Sequence, residues 1–565
     1  MRLRRPSALG TRAALEVLNS ATAQRPAPTK EDTMANRELF NTVNTTANVG
    51  LLRIADTQNE AGGLAYRLSN EGALAQLAAT GCLGRTFYAS AQQQLSDVLG
   101  YAVNVDVDFV AQTAIYARNR GHMKDMPALL CAYVAAYAPE HFDDVFDRVV
   151  DNGKMLSTFV QIVRSGVVGR KSFGTVIKRK IVAWLDARSD EQLVRASAGM
   201  TPSLADIVKM VHPRPQTASR RALYGWLLGR PYDVAALPPI LAEYERFRLV
   251  GVLEPRSVVP DVPFQMLASL PLHAAHWRQI AEHAPWQMTR MNLNTFARHG
   301  VFTDRRVTTM VASRLASRDE VMKARVFPYQ LLAAVTMATS VPASVKAALA
   351  DAMELAIENV PSFSGRVAVC PDVSGSMQSP VTGHRGAGAT TAVRCIDVAA
   401  LIAAAVVRKN ADAIVLPFEH KVVDVGIRRN QRVVDIAQRL AGVGGGGTNC
   451  SAPLKRLADE KARVDVVFLV SDNESWVDTR REGPTETMKQ WQRIKANNPR
   501  ARLVCLDIQP YTTVQAVERD DILHVGGFSD AVFDVVAAFA KGELTGGFAD
   551  VIRKVPLVTT STKAS

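Results

Sequence analysis

From about residue 35 to residue 360 apolar residues recur three and four positions apart, as in Asp108-Phe109-Val110-Ala111-Gln112-Thr113-Ala114-Ile115-Tyr116-Ala117, with breaks at Gly or Pro. That spacing places apolar side chains on one helix face, so the stretch predicts helix after helix and little strand. Roughly 325 helical residues exceed one simple bundle, and stacked helix pairs of around 40 residues, a HEAT-like solenoid, bury the same faces through neighbour contacts alone. No clean internal repeat is visible. After Gly365 the pattern changes. Short β runs at Val367-Ala368-Val369-Cys370, Ala413–Phe418, Val464–Val470 and Ala501–Leu506 alternate with apolar helices, the first expected over Thr391–Asn410. Alternating strand and helix calls for a mainly parallel sheet covered on both faces, with ligands at the carboxyl ends of its strands.

The expected organisation is multidomain: a tail at 1–33, an all-α helical-repeat domain at 34–362, an α/β domain of Rossmann-like type at 363–555 and a tail at 556–565. Residues 1–33 begin Met1-Arg2-Leu3-Arg4-Arg5 and lack the apolar core of a secretory signal, with Met34 an alternative start and a transit peptide the rival reading.

Composition narrows the class. With 565 residues, 47% hydrophobic and 21% charged, the chain can bury large cores, which excludes disorder, collagen and small disulfide scaffolds. Its longest apolar run, Ile396–Val407, carries Asp397 and is too short to span roughly 30 Å of hydrocarbon, so no membrane partner is expected. The net charge is +13, which favours a polyanionic partner such as nucleic acid. Residues 361–565 carry 26 basic and 22 acidic groups against 41 and 32 in residues 1–360, so the helical part is the first place to look. The six cysteines form no CxxC pair and sit in apolar surroundings, the usage of a reducing, cytoplasmic compartment; structural zinc is not expected.

Three segments fall where a parallel sheet binds ligands. Asp372-Val373-Ser374-Gly375-Ser376 follows the first strand, Gly444-Gly445-Gly446-Gly447-Thr448-Asn449 precedes a helix, and Ser471-Asp472-Asn473-Glu474 ends the Val464–Val470 strand. Ser374, Ser376 and Thr448 offer hydroxyls, and Asp372 and Asp472 carboxylates. This all-oxygen donor set suits Mg²⁺ rather than zinc or copper, with the hydroxyls coordinating directly and the carboxylates through water. D-x-S-x-S alone is the pattern of a capped turn, and the glycines alone that of a phosphate loop, here without the Lys-Ser/Thr of a Walker motif. The loop Gln378–Thr390 follows, and its His384 and Arg385 are either ligand contacts or solvated loop residues.

In the helical part, Ser203 and Asp206 resemble a capping box, and Leu204, Ile207, Val208 and Val211 define a buried face. His212 falls at the edge of that face and Lys209 nearly opposite it. Arg118 and Arg120 end one expected helix, Gly121 terminates it and Lys124-Asp125 opens the next, which makes either an anion cradle or ordinary compensation of the helix dipole. No nucleophile with a placed base is apparent, and a serine-rich Mg²⁺ site lacks the paired carboxylates of a two-metal nuclease, so no enzyme is expected.

The order D-x-S-x-S after a strand, Thr after glycines, then Asp at a later strand end resembles the metal-ion-dependent adhesion site (MIDAS) of the von Willebrand factor A fold. With Tyr116–Pro127, Arg325–Gln330, Gly446–Ser451 and Ser471–Trp476, the chain from about 35 to 555 resembles the Ro ribonucleoprotein, or TROVE, family, in a bacterial-type member. The resemblance implies a ring of helical repeats completed by the A domain, a scaffold and not an enzyme. It implies binding of a small noncoding, Y-like RNA and of single-stranded 3′ ends of misfolded or immature RNA, for quality control, maturation or decay. A 3′–5′ exonuclease such as polynucleotide phosphorylase is an implied partner of a cytoplasmic monomer. His212 matches an RNA-contacting histidine of the family and Arg195 is suitably placed upstream, while Gly199 stands where vertebrate members carry arginine. A helix-end histidine serving the dipole is the alternative for His212. A protein-binding A module that recruits an acidic partner through Mg²⁺ is the alternative for the whole chain.

Overall fold

The computed structural model describes residues 58–59, 63–79, 83–86, 89–324, 326, 328–383, 393–472, 474–475, 485–527, 530–544 and 547–558. The expected tail 1–33, Met34, Cys82, the loop residues His384 and Arg385, and Arg325, Phe327, Asn473 and Trp476 lie outside these.

The helices start and stop where the side chains dictate. Ser90, Asp106, Asn152 and Thr217 each accept a bond from a first-turn backbone N–H, and Ser189 and Ser203 do so in reciprocal capping boxes. Gly166 and Gly229 close their helices in the left-handed conformation that a side chain disfavours. Consecutive helices such as Val107–Asn119, Asp125–Tyr137, Pro139–Val149 and Gly153–Ser165 pack on one another around Phe109, Leu129, Phe142, Phe146 and Phe159, all buried. The array runs to Ala343–Ala356.

The α/β part is a five-stranded parallel sheet in the order β3-β2-β4-β5-β7, with β2 Val367–Pro371, β3 Ile414–Val415, β4 Val466–Ser471, β5 Arg502–Asp507 and β7 Ile522–Gly526. One sheet face presents Ala368, Cys370, Val467, Leu469 and Leu503 to Leu454, Met488 and Trp491. The other presents Val369, Phe468, Val504 and Leu523 to Ile396, Val433, Val536 and Phe539. Both faces are covered, which is why the strands read as continuous apolar runs. The helix expected over Thr391–Asn410 spans Cys395–Lys409, because Arg394 caps it through Asp397; 391 and 392 are outside the described residues. β3 is shorter than the run Ala413–Phe418, although Leu416 N and Phe418 N still donate to Val369 O and Pro371 O of β2, each at 3.0 Å.

Both ends of the helical array dock on this α/β domain. At one seam β1, Tyr66–Arg67, pairs antiparallel with β6, Thr513–Val514, and the helix Asn70–Ala78 packs against β7. Asn59 Nδ2 donates to Ser475 O at 2.6 Å and Gln76 Nε2 to Asp507 at 3.1 Å. The last helix, Phe548–Arg553, lies on Asn70–Ala78 and Val107–Asn119, with Phe548 edge-on to Tyr116 at 5.6 Å. Residues 556–558, expected to open a tail, are held here: Arg148 donates to Pro556 O and Val558 N to Asp144. At the other seam Arg432 pairs with Asp351 at 2.7 Å, Glu354 accepts from Val433 N at 2.6 Å, and the helix Pro328–Met337 lies on Cys395–Lys409. The elements therefore form a closed loop, with the α/β domain joining the first and last helices.

Candidate functional site

The strand order reverses between β2 and β4, since the chain leaves β2 for β3 on one side and for β4 on the other. Loops diverge at such a point and leave a crevice at the carboxyl ends of the strands. Asp372 follows β2, Ser471 ends β4 and Asp472 follows it, so both carboxylates are delivered to that crevice by the sheet.

The five residues expected to hold metal converge there, all buried. Thr448 Oγ1 donates to Ser374 Oγ at 2.9 Å, and Ser374 Oγ and Ser376 Oγ lie 3.3 Å apart. Asp372 accepts from Ser374 N at 2.8 Å and from Ser471 Oγ at 2.5 Å, while Asp472 is bonded by the Ser376 hydroxyl. The glycine loop brings Thr448 in through Gly375 N to Gly446 O at 3.1 Å and Gly445 N to Val373 O at 3.3 Å. Gly446 has φ +74°, the left-handed conformation that disfavours a side chain, and a Cβ there would displace the Glu419 carboxylate.

Burial and then the neighbouring Asp472 charge push Asp372 up to about 7, and burial raises Asp472 as well. Among the described residues no Lys, Arg or His forms an ion pair with either carboxylate. Nor do three His, Cys, Asp or Glu side chains converge as a cluster of those ligands would need. Two buried carboxylates behind three converging hydroxyls, with no ion-paired cation among the described residues, fit a hard divalent ion.

On the helical part, the helix Leu204–Val211 has its capping box, and its buried residues are Leu204, Ile207, Val208 and Val211, leaving Lys209 exposed. His212 ends it, exposed, at φ +53°. Beside it a groove of about 700 Å³ runs against the helix Gly174–Asp186, floored by Phe173, Val182 and Val211 and rimmed by Lys178 and Arg179. Both cations are exposed and, among the described residues, have no ion-pair partner, whereas the next residue, Lys180, is bound to Asp143 and Asp147.

Residues 366–540 match the family model described as the Ro60 vWA domain. The RNA-binding protein RO60 of Deinococcus radiodurans is 27% identical over 526 residues, covering 86% of this chain and 96% of that protein. That of Caenorhabditis elegans is 23% identical over 271 residues, 46% of this chain and 40% of that one. The crystal structure of the Deinococcus radiodurans Ro (Rsr) protein superposes with a TM-score of 0.60 at 23% identity, covering 84% of this chain and all of that one. Residues 366–540 thus match the Ro60 vWA domain, and most of the chain is similar in sequence and fold to the bacterial Ro protein.

Within this fold the expected basic residues are not equivalent. Arg118 is committed to Asp151 at 2.7 Å and to Met123 O at 3.1 Å, so the cradle expected from Arg118, Arg120 and Lys124 loses its first member to an internal bridge. Arg120 caps its helix and is exposed; Lys124 is exposed at the start of the next. Arg195 is bound by Asp261 at 2.8 Å and Glu191 at 3.0 Å, which raises its pKa and spends its charge. Gly199 has φ +69°, a conformation in which an arginine would be strained, so the departure from the vertebrate pattern is built into the backbone. Sequence reasoning missed Lys178 and Arg179. The signal was the run Lys178-Arg179-Lys180 opposite Asp143 and Asp147, which can neutralise only one of the three.

Proposed function

We propose that this chain is the RNA-binding scaffold of a small cytoplasmic ribonucleoprotein, monomeric and without catalytic activity of its own. In this reading a small noncoding, Y-like RNA lies on the outer basic face around Lys178, Arg179, Lys209 and His212. The single-stranded 3′ end of a misfolded or immature RNA enters the ring, and a 3′–5′ exonuclease such as polynucleotide phosphorylase acts on what is presented. The observation that carries it is the pairing of a closed loop of helices with exposed cations, Lys178 and Arg179, that have no acidic partner among the described residues. The RNA-binding names of the Deinococcus and Caenorhabditis relatives support the class of ligand.

The MIDAS-like crevice supports a second, compatible reading. Ser374, Ser376, Thr448, Asp372 and Asp472 would hold Mg²⁺, which supplies an electrophilic position for a partner's carboxylate or phosphate oxygen. The hydroxyl-rich donor set favours recruitment over hydrolysis.

The test is a gel-shift titration with one structured RNA, tailed or blunt at its 3′ end, at two salt concentrations. Tighter, salt-sensitive binding of the tailed RNA is expected. Equal or absent binding would abandon the ring reading, and EDTA-sensitive capture of an acidic peptide would then favour the protein-binding module. Mg²⁺-dependent degradation of RNA by the pure protein, lost in Asp372→Ala, would overturn the scaffold reading.

A further inference from the structure

At the amino-terminal edge of the sheet, opposite the metal crevice, basic residues gather. Arg366 directly precedes β2, Arg463 lies three residues before β4, Arg500 two before β5, and Lys541 ends the helix Asp530–Lys541. All four are exposed, and among the described residues none of their side chains has a hydrogen bond or ion pair. A groove of about 630 Å³ opens between these elements, lined by Ser364, Lys495, Arg500, Arg502 and Lys541.

The acids of the groove are largely spoken for. Asp465 accepts from Arg366 N at 2.8 Å and Asn498 Nδ2 at 3.0 Å; Asp521 accepts from Trp491 Nε1 at 3.1 Å and faces Lys495 at 3.3 Å. Arg502 lies over the Phe539 ring at 5.0 Å, a contact that leaves its charge uncompensated. Asp520 alone remains exposed against Arg500, Arg502 and Lys541. The sheet thus keeps acids and free cations apart, with Asp372, Asp472 and Asp507 buried at its carboxyl edge and, among the described residues, unpaired cations at the other.

We propose that this groove is a second anion surface of the A domain, holding backbone phosphates of an RNA whose remainder lies on the helical array. It rests on the RNA-binding reading above. One phosphate is satisfied by two or three donors, and the row extends past the groove to Arg366 and Arg463, which suits a strand rather than a small anion. Net charge hides it, because the 22 acidic groups of residues 361–565 offset its 26 basic ones in the count wherever they lie, while the exposed edge keeps its cations.

The experiment uses the full chain with Arg500→Glu and Lys541→Glu together, both exposed, with retained Mg²⁺ stabilisation as the fold control. Binding of a structured, 3′-tailed RNA is measured from about 50 to about 200 mM salt. Loss of two phosphate contacts lowers the slope of log affinity against log salt by roughly 1.8, so the variant gives up about tenfold less affinity across that range than the wild type. An unchanged slope overturns the proposal. So does a thermal shift with inorganic phosphate that the variant lacks while its RNA slope is unchanged, which would assign the groove to a small anion. Failure of the underlying reading looks different, since the wild type itself would then show no salt-dependent RNA binding.

Discussion

Lowering the pH should weaken Mg²⁺ binding through Asp372. In the metal-free protein its carboxyl is held up to about 7 by burial and by Asp472. One pH unit below that value it is protonated about ten to one, and one unit above it is ionised about ten to one. A carboxylate must be ionised to hold a cation, so moving from about pH 8 to about pH 6 costs roughly tenfold in apparent affinity, and Asp472, also raised, steepens the fall. Isothermal titration calorimetry at both pH values, each in two buffers of different ionisation enthalpy, counts the protons. About one should leave per Mg²⁺ at the lower pH and almost none at the higher. The same shift means that the metal-free fold loses stability as pH rises from the ordinary carboxylate value of 3.8 through about 7, because the folded state holds the proton more tightly than the unfolded chain. Equal affinities at the two pH values, with no buffer-dependent heat, would refute the assignment of Asp372 to the metal crevice.

Three further outcomes are expected. Ser374→Ala with Thr448→Ala removes two of the three converging hydroxyls and should weaken Mg²⁺ binding roughly ten- to hundredfold by calorimetry while sparing RNA affinity; a matching fall in RNA affinity of the folded variant would show that the two sites are not separate. Charge reversal by Lys178→Glu with Lys209→Glu should flatten the salt dependence of RNA binding, whereas Arg195→Ala should leave it unchanged in the same gel shift, because Glu191 and Asp261 already occupy that guanidinium. Gly526→Val puts a side chain into the backbone carbonyl of Gln76 at the first seam, so hydrogen exchange should speed up in Asn70–Ala78 ahead of β4 and β5; uniform protection would mean the seam tolerates the change.

The periodicities carried the architecture. Leu204, Ile207, Val208 and Val211 had to share one helix face at 3.6 residues per turn, and Ser203 with Asp206 had to cap it, because both effects act within a few residues. The crevice was legible for the same reason: Asp372, Ser374 and Ser376 sit within one pentapeptide, and Asp472 ends an apolar run that can only be a buried strand. Other features carry no local signature. The two-residue pairing of β1 with β6 joins positions more than 400 apart in the chain, and nothing in Tyr66-Arg67 announces its partner.

Charge was the quantity that sequence alone misjudged, in both directions. Arg118 and Arg195 read as free cations, yet Asp151 and Asp261 reach them from other elements; Lys178 and Arg179 went unnoticed, and the acids that would have quenched them are turned to Lys180. Sequence determined which segments become helix and strand and which oxygens end the strands, since backbone preference and apolar period are short-range. Tertiary structure decided that the helical array closes on the A domain and which cations keep their charge, because Coulomb contacts depend on distances that folding sets between residues far apart in the chain.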